Sequence, residues 1–269
     1  MGLKDQLTGI LPAELVPFLS NHFEVIGDIA VITVPAELEP WKHTIARAVV
    51  SRRKNLVTVL NKKEKVTGDS RIARYEVLWG GRTTTVHRES GFVYRLDVGR
   101  TFFSTHLVHE RARVTGQIHP EERIYIPFAG IGPFVIPAAA RGAEVYATEN
   151  NPDAFRYLRQ NADLNHVSEN CHLLQGDAFD TGRFAQKEFD RLIIPAPYGM
   201  DHALKTLLPL LAEGGMVHVY TFRAKEEIPA LISLYEGEGL TVRYSAPCGN
   251  IAPGISRWVF DLECPLQVS

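Results

Sequence analysis

The chain reads as an α/β protein: a doubly wound, mostly parallel sheet in its second part, preceded by a small α+β domain, with the boundary between residues 115 and 116. Three observations predict this. From residue 124 onward, apolar runs of strand length alternate with stretches of helical spacing, the rhythm of a sheet covered on both faces. Before that, short alternating strands are punctuated by the turn pairs Gly27-Asp28, Gly80-Gly81 and Ser90-Gly91. Third, residues 121–165 run strand, glycine turn, helix, strand and acidic tip, the layout of a nucleotide-type cofactor site at the head of a parallel sheet.

In the first part, residues 8–22 read as a short amphipathic helix with Leu11, Leu15, Phe18 and Leu19 on one face and Pro12 tolerated near its start. Two short strands follow at 23–34, a helix at 39–50 (Trp41, Ile45, Ala48, Val49) and a strand at 56–60. Lys62, Lys63, Glu64 and Lys65 form a basic loop, strands are expected at 74–78, 83–89 and 92–98, and a linking helix at 106–114. In the second part, strand 124–128 leads through Ala129-Gly130-Ile131-Gly132 into a helix at 133–140 and a strand at 144–148. Pro152 occupies the first turn of the next helix. Strands are expected at 173–175 and 191–194, a helix at 202–211, a strand at 216–220, a helix at 226–236, and two closing strands at 242–245 and 257–262.

Composition bounds the function. The 269 residues are 45% hydrophobic, ample for a core. Cys171, Cys248 and Cys264 are too widely spaced for a zinc pattern or a disulfide framework, which fits a reducing cytoplasm. No apolar run approaches membrane-spanning length, the start lacks the apolar core of a signal peptide, and no metal site is expected. Net charge is only −2, but residues 1–115 carry +5 and the remainder −7, and within 42–113 the balance is +10. A basic front joined to an acidic half suits a protein that brings a phosphate backbone to a small-molecule site.

Ligands of open α/β sheets collect outside the carboxyl ends of the strands, and Gly130, Glu149, Asp177 and the segment from Pro195 to Tyr198 all fall at such ends. Gly130 and Gly132 let backbone amides approach a ligand. Glu149, nineteen residues after Gly130, can accept from both ribose hydroxyls. Val135 stands where a third glycine would complete Gly-x-Gly-x-x-Gly, which favours S-adenosylmethionine over a dinucleotide. Asp177 can accept from an adenine amino group. Pro195 and Pro197 stiffen a strand exit whose carbonyls face the cleft, and Tyr198 offers a ring for stacking a base. Plain readings stand beside these: a βαβ turn without ligand, a turn aspartate, a rigid strand exit with a buried tyrosine.

Several motifs in fixed order carry a resemblance. Arg95-Leu-Asp97 with Phe103-Ser104, His109-Glu110-Arg111-Ala-Arg113, Phe128-Ala-Gly-Ile-Gly-Pro-Phe134, Thr148-Glu-Asn-Asn-Pro-Asp153, Leu158-x-x-Asn161-x-x-Leu164-Asn165 and Gly176-Asp177 resemble the archaeal and eukaryotic tRNA (guanine-37 N1)-methyltransferases. Their relatives, the wybutosine-synthesising aminocarboxypropyl transferases, share these motifs. The resemblance covers nearly the whole chain from about Leu11 and implies a class I methyltransferase fold that binds S-adenosylmethionine behind a small tRNA-contacting domain. It places Phe128, Ala129, Gly130, Gly132, Phe134, Glu149, Asn150, Asp177, Ala178 and Pro195 around the cofactor. Glu110 matches the family's general base, Arg71 in Gly68-Asp-Ser-Arg71 matches an arginine near the target guanine, and Pro197 joins them as a catalytic candidate. The chemistry agrees: guanine N1 must lose a proton on alkylation, and an arginine stabilises charge growing on O6. Read without the resemblance, Glu110 is a surface helix residue paired with Arg111 or Arg113.

Two positions depart from the pattern. Ile126-Pro127 stands where the family usually has Asp-Met, and Pro195-Ala196-Pro197 where the methyltransferases have Asn-Leu-Pro. The amino-terminal segments Leu11-Pro-Ala-Glu-Leu-Val16 and Glu37-Leu-Glu-Pro-Trp-Lys-His43 look like the shorter aminocarboxypropyl transferases, whereas Gly132-Pro133-Phe134 and Gly176-Asp177-Ala178 look like the methyltransferases. The expectation is a monomeric cytoplasmic enzyme that methylates N1 of guanosine 37 in the tRNA anticodon loop. Aminocarboxypropyl transfer to a wyosine precursor, and a tRNA-binding paralogue without activity, are its alternatives.

Overall fold

The computed structural model describes residues 2–63, 74–184 and 188–266, and the chain divides into two compact units, Met1–Thr105 and His106–Ser269. The first unit thus ends one helix before the expected 115/116 boundary.

In the first unit, α1 (Leu3–Leu7) is a single short helix. Strands β1 (Glu24–Ile26), β2 (Ile29–Ile32), β3 (Thr58–Lys62) and β4 (Tyr75–Trp79) form one sheet in that order. The β1/β2 and β3/β4 pairs are antiparallel; β2 and β3 are parallel, joined through a 3₁₀ stretch, Ala36–Trp41, and α2 (Lys42–Arg52). Ile45, Ala46, Ala48 and Val49 of α2 are buried against Ala30, Ile32 and Val59 of the sheet. A separate hairpin pairs β5 (Thr84–Glu89) with β6 (Phe92–Asp97) through Ser90 and Gly91, both at positive φ (50° and 86°), the backbone that a two-residue hairpin turn requires.

The helix expected at 8–22 does not form. Gly9 takes φ 81°, Pro12 and Pro17 lack the N–H a helix interior needs, and a lone 3₁₀ turn remains at Val16–Phe18. Leu11 and Leu19 still reach the core, whereas Phe18 is 49% exposed. Of the expected basic loop, Lys62 closes β3 and Lys63 pairs with Glu39 and Glu76, which also hold Lys42; Glu64 and Lys65 lie outside the described residues.

The second unit begins with α3 (Val108–Gly116). There follow β7 (Arg123–Pro127), α4 (Val135–Ala140), β8 (Glu144–Glu149), α5 (Pro152–Leu164), β9 (Cys171–Gln175), β10 (Phe189–Ile194), α6 (Ala203–Leu207), β11 (Leu211–Arg223), α7 (Ile228–Gly237), β12 (Thr241–Ala252) and β13 (Ile255–Glu263). They build one seven-stranded sheet in the order β12-β13-β11-β10-β7-β8-β9. The five strands from β7 to β11 pair in parallel, and β13 runs antiparallel to β11 and β12. This is the expected mostly parallel, doubly wound sheet. Chain order reverses direction between β7 and β10, so the crevice of the fold opens there.

A buried polar chain crosses this sheet. Arg191 donates through Nε and Nη2 to Glu122 (2.8 and 3.0 Å), and its Nη1 lies 2.7 Å from His218 Nε2. An arginine offers only donors, so His218 Nε2 must be unprotonated, and the ring proton sits on Nδ1, 2.7 Å from Asp261 Oδ1. Asp261 also accepts from Arg113 (2.6 and 2.8 Å) and Gln117 (3.2 Å). Arg113 in turn donates to Glu110 (2.7 and 2.9 Å), which accepts a third bond from the Tyr220 hydroxyl (2.9 Å). Burial pushes the His218 pKa down; the bond to Asp261 opposes this and the charges of Arg191 and Arg113 reinforce it. Burial alone would raise Asp261, but hydrogen bonds from Arg113 and His218 prevail and hold its carboxyl well below the usual range.

A base whose folded pKa is lowered contributes its full stability above its unfolded value and loses it as pH falls toward the folded one. The His218 contribution should therefore be complete above about pH 6.5 and decline on acidification below it. Denaturant unfolding between pH 5 and 8 should show a shallower decline in His218→Gln than in the parent chain; equal slopes would remove His218 as the source.

Candidate active site

The carboxyl ends of β10, β7, β8 and β9, four neighbours in the sheet, bring Pro195, Gly130, Glu149 and Asp177 to one edge at the reversal point. The turn after β7 is built from backbone. Phe128 adopts φ 54°, Gly130 φ 59° and Gly132 φ 96°. A Cβ on Gly132 would stand 2.7 Å from Leu158 Cδ1 of α5, and its φ of 96° is backbone that favours glycine. Ala129 N donates to Thr148 O (3.0 Å), and Asn161 Nδ2, fully buried in α5, donates to Ile131 O (2.9 Å). Phe134 is buried at the entrance to α4. Val135, in the place of the third glycine, is also buried, inside α4.

Glu149 ends β8 with each oxygen held by one backbone amide: Oε2 accepts from Gly130 N and Oε1 from Asn151 N, both at 2.7 Å. Each oxygen keeps a further lone pair, so the carboxylate is aimed before any hydroxyl arrives. Asn151 caps α5 by accepting from Asp153 N and Ala154 N, and Asn150 beside it is exposed. After β9, Asp177 is exposed and its Oδ1 accepts from Phe179 N (2.9 Å). Ala178 is buried; its carbonyl takes the Tyr125 hydroxyl at 3.0 Å, and burial pushes the Tyr125 pKa up to about 12. The Phe128 and Phe179 rings meet edge to face at 5.7 Å, joining the β7 and β9 loops.

At the β10 exit Ala196 N bonds back to Ile194 O (2.8 Å) and Met200 N to Pro197 O (3.2 Å). The Pro197 carbonyl thus serves a turn. Tyr198 is 74% exposed, its ring 5.5 Å from that of Phe222; the buried-tyrosine alternative does not apply. Pro195 stands at the edge of this corner, half-buried.

Glu110 is not a surface residue. It is 8% exposed and pairs with Arg113, as an i,i+3 reading suggests, but inside the buried chain described above. Its third bond fixes where it lies. Ile194, last of β10, pairs with Val219 of β11, so Tyr220 sits beside the start of the Pro195 segment. The Tyr220 ring is also 5.7 Å from that of Phe134. One tyrosine therefore ties the Glu110 carboxylate to both the glycine turn and the proline corner. Burial raises the Tyr220 pKa far above its ordinary value, Glu110 adding to the effect, which keeps it a donor. Arg71 lies outside the described residues. Tyr220, Tyr125 and Asn161 drew no role from sequence; only Asn161 carried a signal there, inside Leu158-x-x-Asn161-x-x-Leu164-Asn165.

No helix among the described residues is long and apolar enough to cross a membrane. Among them, too, no group of three or more His, Cys, Asp or Glu is placed to hold a metal ion.

Residues 85–233 match the TRM5/TYW2 methyltransferase domain, and residues 3–84 the TYW2 N-terminal domain. Trm5b of Pyrococcus abyssi, a tRNA (guanine(37)-N(1))-methyltransferase, is 36% identical over 213 residues, covering 79% of this chain and 63% of its own length. Its crystal structure superposes with a TM-score of 0.84 at 32% identity, over 95% of this chain and 78% of that one. The tRNA(Phe) (4-demethylwyosine(37)-C(7)) aminocarboxypropyltransferase of Pyrococcus horikoshii is 32% identical over 269 residues, covering 97% of this chain and 95% of its own. The crystal structure of P. horikoshii TYW2 in complex with MeSAdo gives a TM-score of 0.78 at 29% identity, over 97% of each chain. The glycine turn backed by α5, the carboxylate closing β8 and the buried glutamate on α3 are thus features of a chain that belongs to the TRM5/TYW2 methyltransferase family.

Proposed function

We propose that this protein transfers a group from S-adenosylmethionine to the nucleoside at position 37 of tRNA, methyl transfer to N1 of guanosine being the first reading. The observation that carries it is the bond between Tyr220 and Glu110, which holds a buried carboxylate at the strand ends where the glycine turn and Glu149 converge. The residues fit the cofactor. Glu149 would take its ribose hydroxyls, Asp177 its adenine amino group, and the turn from Phe128 to Phe134 with Asn150, Ala178 and Pro195 would surround the rest. When bound, it supplies the electrophilic carbon on its sulfonium.

The chain's own part is the proton. Oε1 of Glu110 already accepts from Arg113 Nη2 and Tyr220, whereas among the described residues Oε2 accepts only from Arg113 Nε. Oε2 is the oxygen with a lone pair left for the N1 proton of guanine, and Arg113 and Tyr220 keep it aimed. Arg71 is assigned by its motif to the charge on O6, and Pro197 holds the corner from which Tyr198 offers its ring to the base. The first unit would serve as the tRNA-contacting domain, the protein acting as a cytoplasmic monomer.

Aminocarboxypropyl transfer is the second reading. Two observations favour it: the match of residues 3–84 to the TYW2 N-terminal domain, and the end-to-end match to the P. horikoshii enzyme. Mass spectrometry of tRNA, with either guanosine or a wyosine precursor at position 37, decides after incubation with protein and S-adenosylmethionine, since the two groups differ in mass. No added mass on either tRNA would leave only a binding paralogue.

Glu149→Ala should weaken S-adenosylmethionine binding by about 1 to 3 kcal/mol, the cost of polar groups left unpaired; full affinity in calorimetry would remove Glu149 from the site. Glu110→Gln should lower turnover by about 10² to 10⁴-fold with cofactor affinity retained, whereas unchanged turnover with a lower melting temperature would reduce Glu110 to a structural ion pair. Arg52, Arg53 and Lys54 are exposed at the end of α2, unlike Lys42 and Lys63 with their glutamate partners. Neutralising the three should flatten the fall of tRNA affinity with salt, and an unaltered slope would assign the RNA-binding charge elsewhere.

A further inference from the structure

Among the described residues, the arginines on this sheet are provided with acids, with one exception. Arg123 has Glu144, Arg191 has Glu122, Arg223 has Asp201 and Arg243 has Glu263. Arg257, on β13, is half-buried, and among the described residues no carboxylate or carbonyl bonds it. What it touches is an aromatic ring: its Cζ lies 5.1 Å from the centroid of Phe222. A ring face stabilises the charge but accepts none of the five N–H donors strongly, so the planar fork stays available to an anion. Burial pushes the Arg257 pKa down, with the nearby charge of Arg111 adding to the effect. A half-buried cation with no acid beside it among the described residues gains more than a surface arginine when an anion arrives.

Its position says which anion. Phe222 pairs with Arg257 across β11 and β13, as Tyr220 does with Val259 and His218 with Asp261. Side chains alternate along a strand, so His218, Tyr220 and Phe222 share one face, and Asp261, Val259 and Arg257 stand beside them. Along that face Arg257 lies one side-chain repeat beyond the pair that anchors Glu110, roughly 7 Å of strand. On its outer side Phe222 meets the exposed ring of Tyr198. Arg257 therefore stands one residue pair along β13 from the partner of Tyr220, which holds the proton acceptor, and shares the Phe222 ring with Tyr198. Residues 116–269 carry a net charge of −7, so a free cation at this point answers an anion brought in with the acceptor.

We propose that Arg257 binds a backbone phosphate of the RNA substrate, fixing the target nucleotide between Tyr198 and Glu110. This rests on the tRNA-modifying reading above. The N–H fork of arginine matches two phosphate oxygens, a contact that positions the strand without reading its sequence.

The test compares Arg257→Gln and Arg257→Lys with the parent chain, measuring tRNA affinity across a salt series, cofactor affinity, turnover at saturating tRNA and thermal unfolding. Arg257→Gln should weaken tRNA binding by about tenfold or more and reduce the slope of log affinity against log salt by about one. Cofactor affinity should be nearly unchanged, and any fall in saturated turnover should accompany the loss of tRNA affinity. Arg257→Lys, which keeps a point charge, should restore the salt slope, and Arg257→Met, which removes the charge while keeping an apolar stem, replaces the glutamine variant if that one does not fold. Loss of saturated turnover with unchanged tRNA affinity would overturn the proposal in favour of charge stabilisation on the base. Loss of cofactor affinity would overturn it in favour of the cofactor's carboxylate. If the parent chain itself binds no tRNA, the tRNA reading fails first; if it binds and both variants match it, only Arg257 is refuted.

Discussion

A neutral histidine between an arginine and an aspartate is the constraint on which the second unit depends. His218 has no exposure, and Arg191 and Asp261 approach its two nitrogens at 2.7 Å each. Because Arg191 can only donate, the tautomer is fixed, and because the tautomer is fixed Asp261 receives a proton donor from below and Arg113 from above. The chain then passes to Glu110 and Tyr220. Every link is charge-assisted or fully buried, where bonds are strong when made and costly when broken. A glutamate on the first helix of the unit is thereby held to the far end of β11, more than a hundred residues later.

The same arrangement shows why a buried acid can persist here. Burying a polar group costs free energy unless it is hydrogen-bonded, and Glu110 has three donors. A proton acceptor for a substrate must not be fully engaged, and the geometry meets both demands on different atoms: Oε1 is saturated and Oε2 is not. Positioning and reactivity are separated by one carboxyl group. Glu149 at the other side of the crevice shows the same economy, each oxygen tied once to a backbone amide.

Much of this architecture was legible in the sequence because it is local. The strand and glycine turn after residue 123, the acidic end of β8, the proline-started α5 and the Ser90-Gly91 hairpin are each specified by a few adjacent residues. The misread segment, 8–22, shows the opposite. Its apolar spacing was helical, but Gly9 and two prolines decide the backbone, and the leucines reach the core from an irregular path. The burial of Glu110 was not legible either. Its helix carries histidine and arginines around it, and only Tyr220 and Asp261, distant in sequence, turn that face inward. Arg257 was invisible for the same reason: it is distinguished by the acids that fail to meet it.

Phe128 has a consequence of a different kind. A bulky residue at φ 54° occupies backbone territory that side chains with a Cβ avoid, at a cost of order 1 to 3 kcal/mol. Glycine would relax it, yet the phenyl ring is what reaches across to Phe179 and keeps the loop bearing Asp177 beside the turn bearing Gly130. One wall of the crevice thus carries a local backbone strain. Its backbone gives up local comfort so that two loops from different strands keep a common wall, and a chain selected only for robustness would be expected to surrender that ring first.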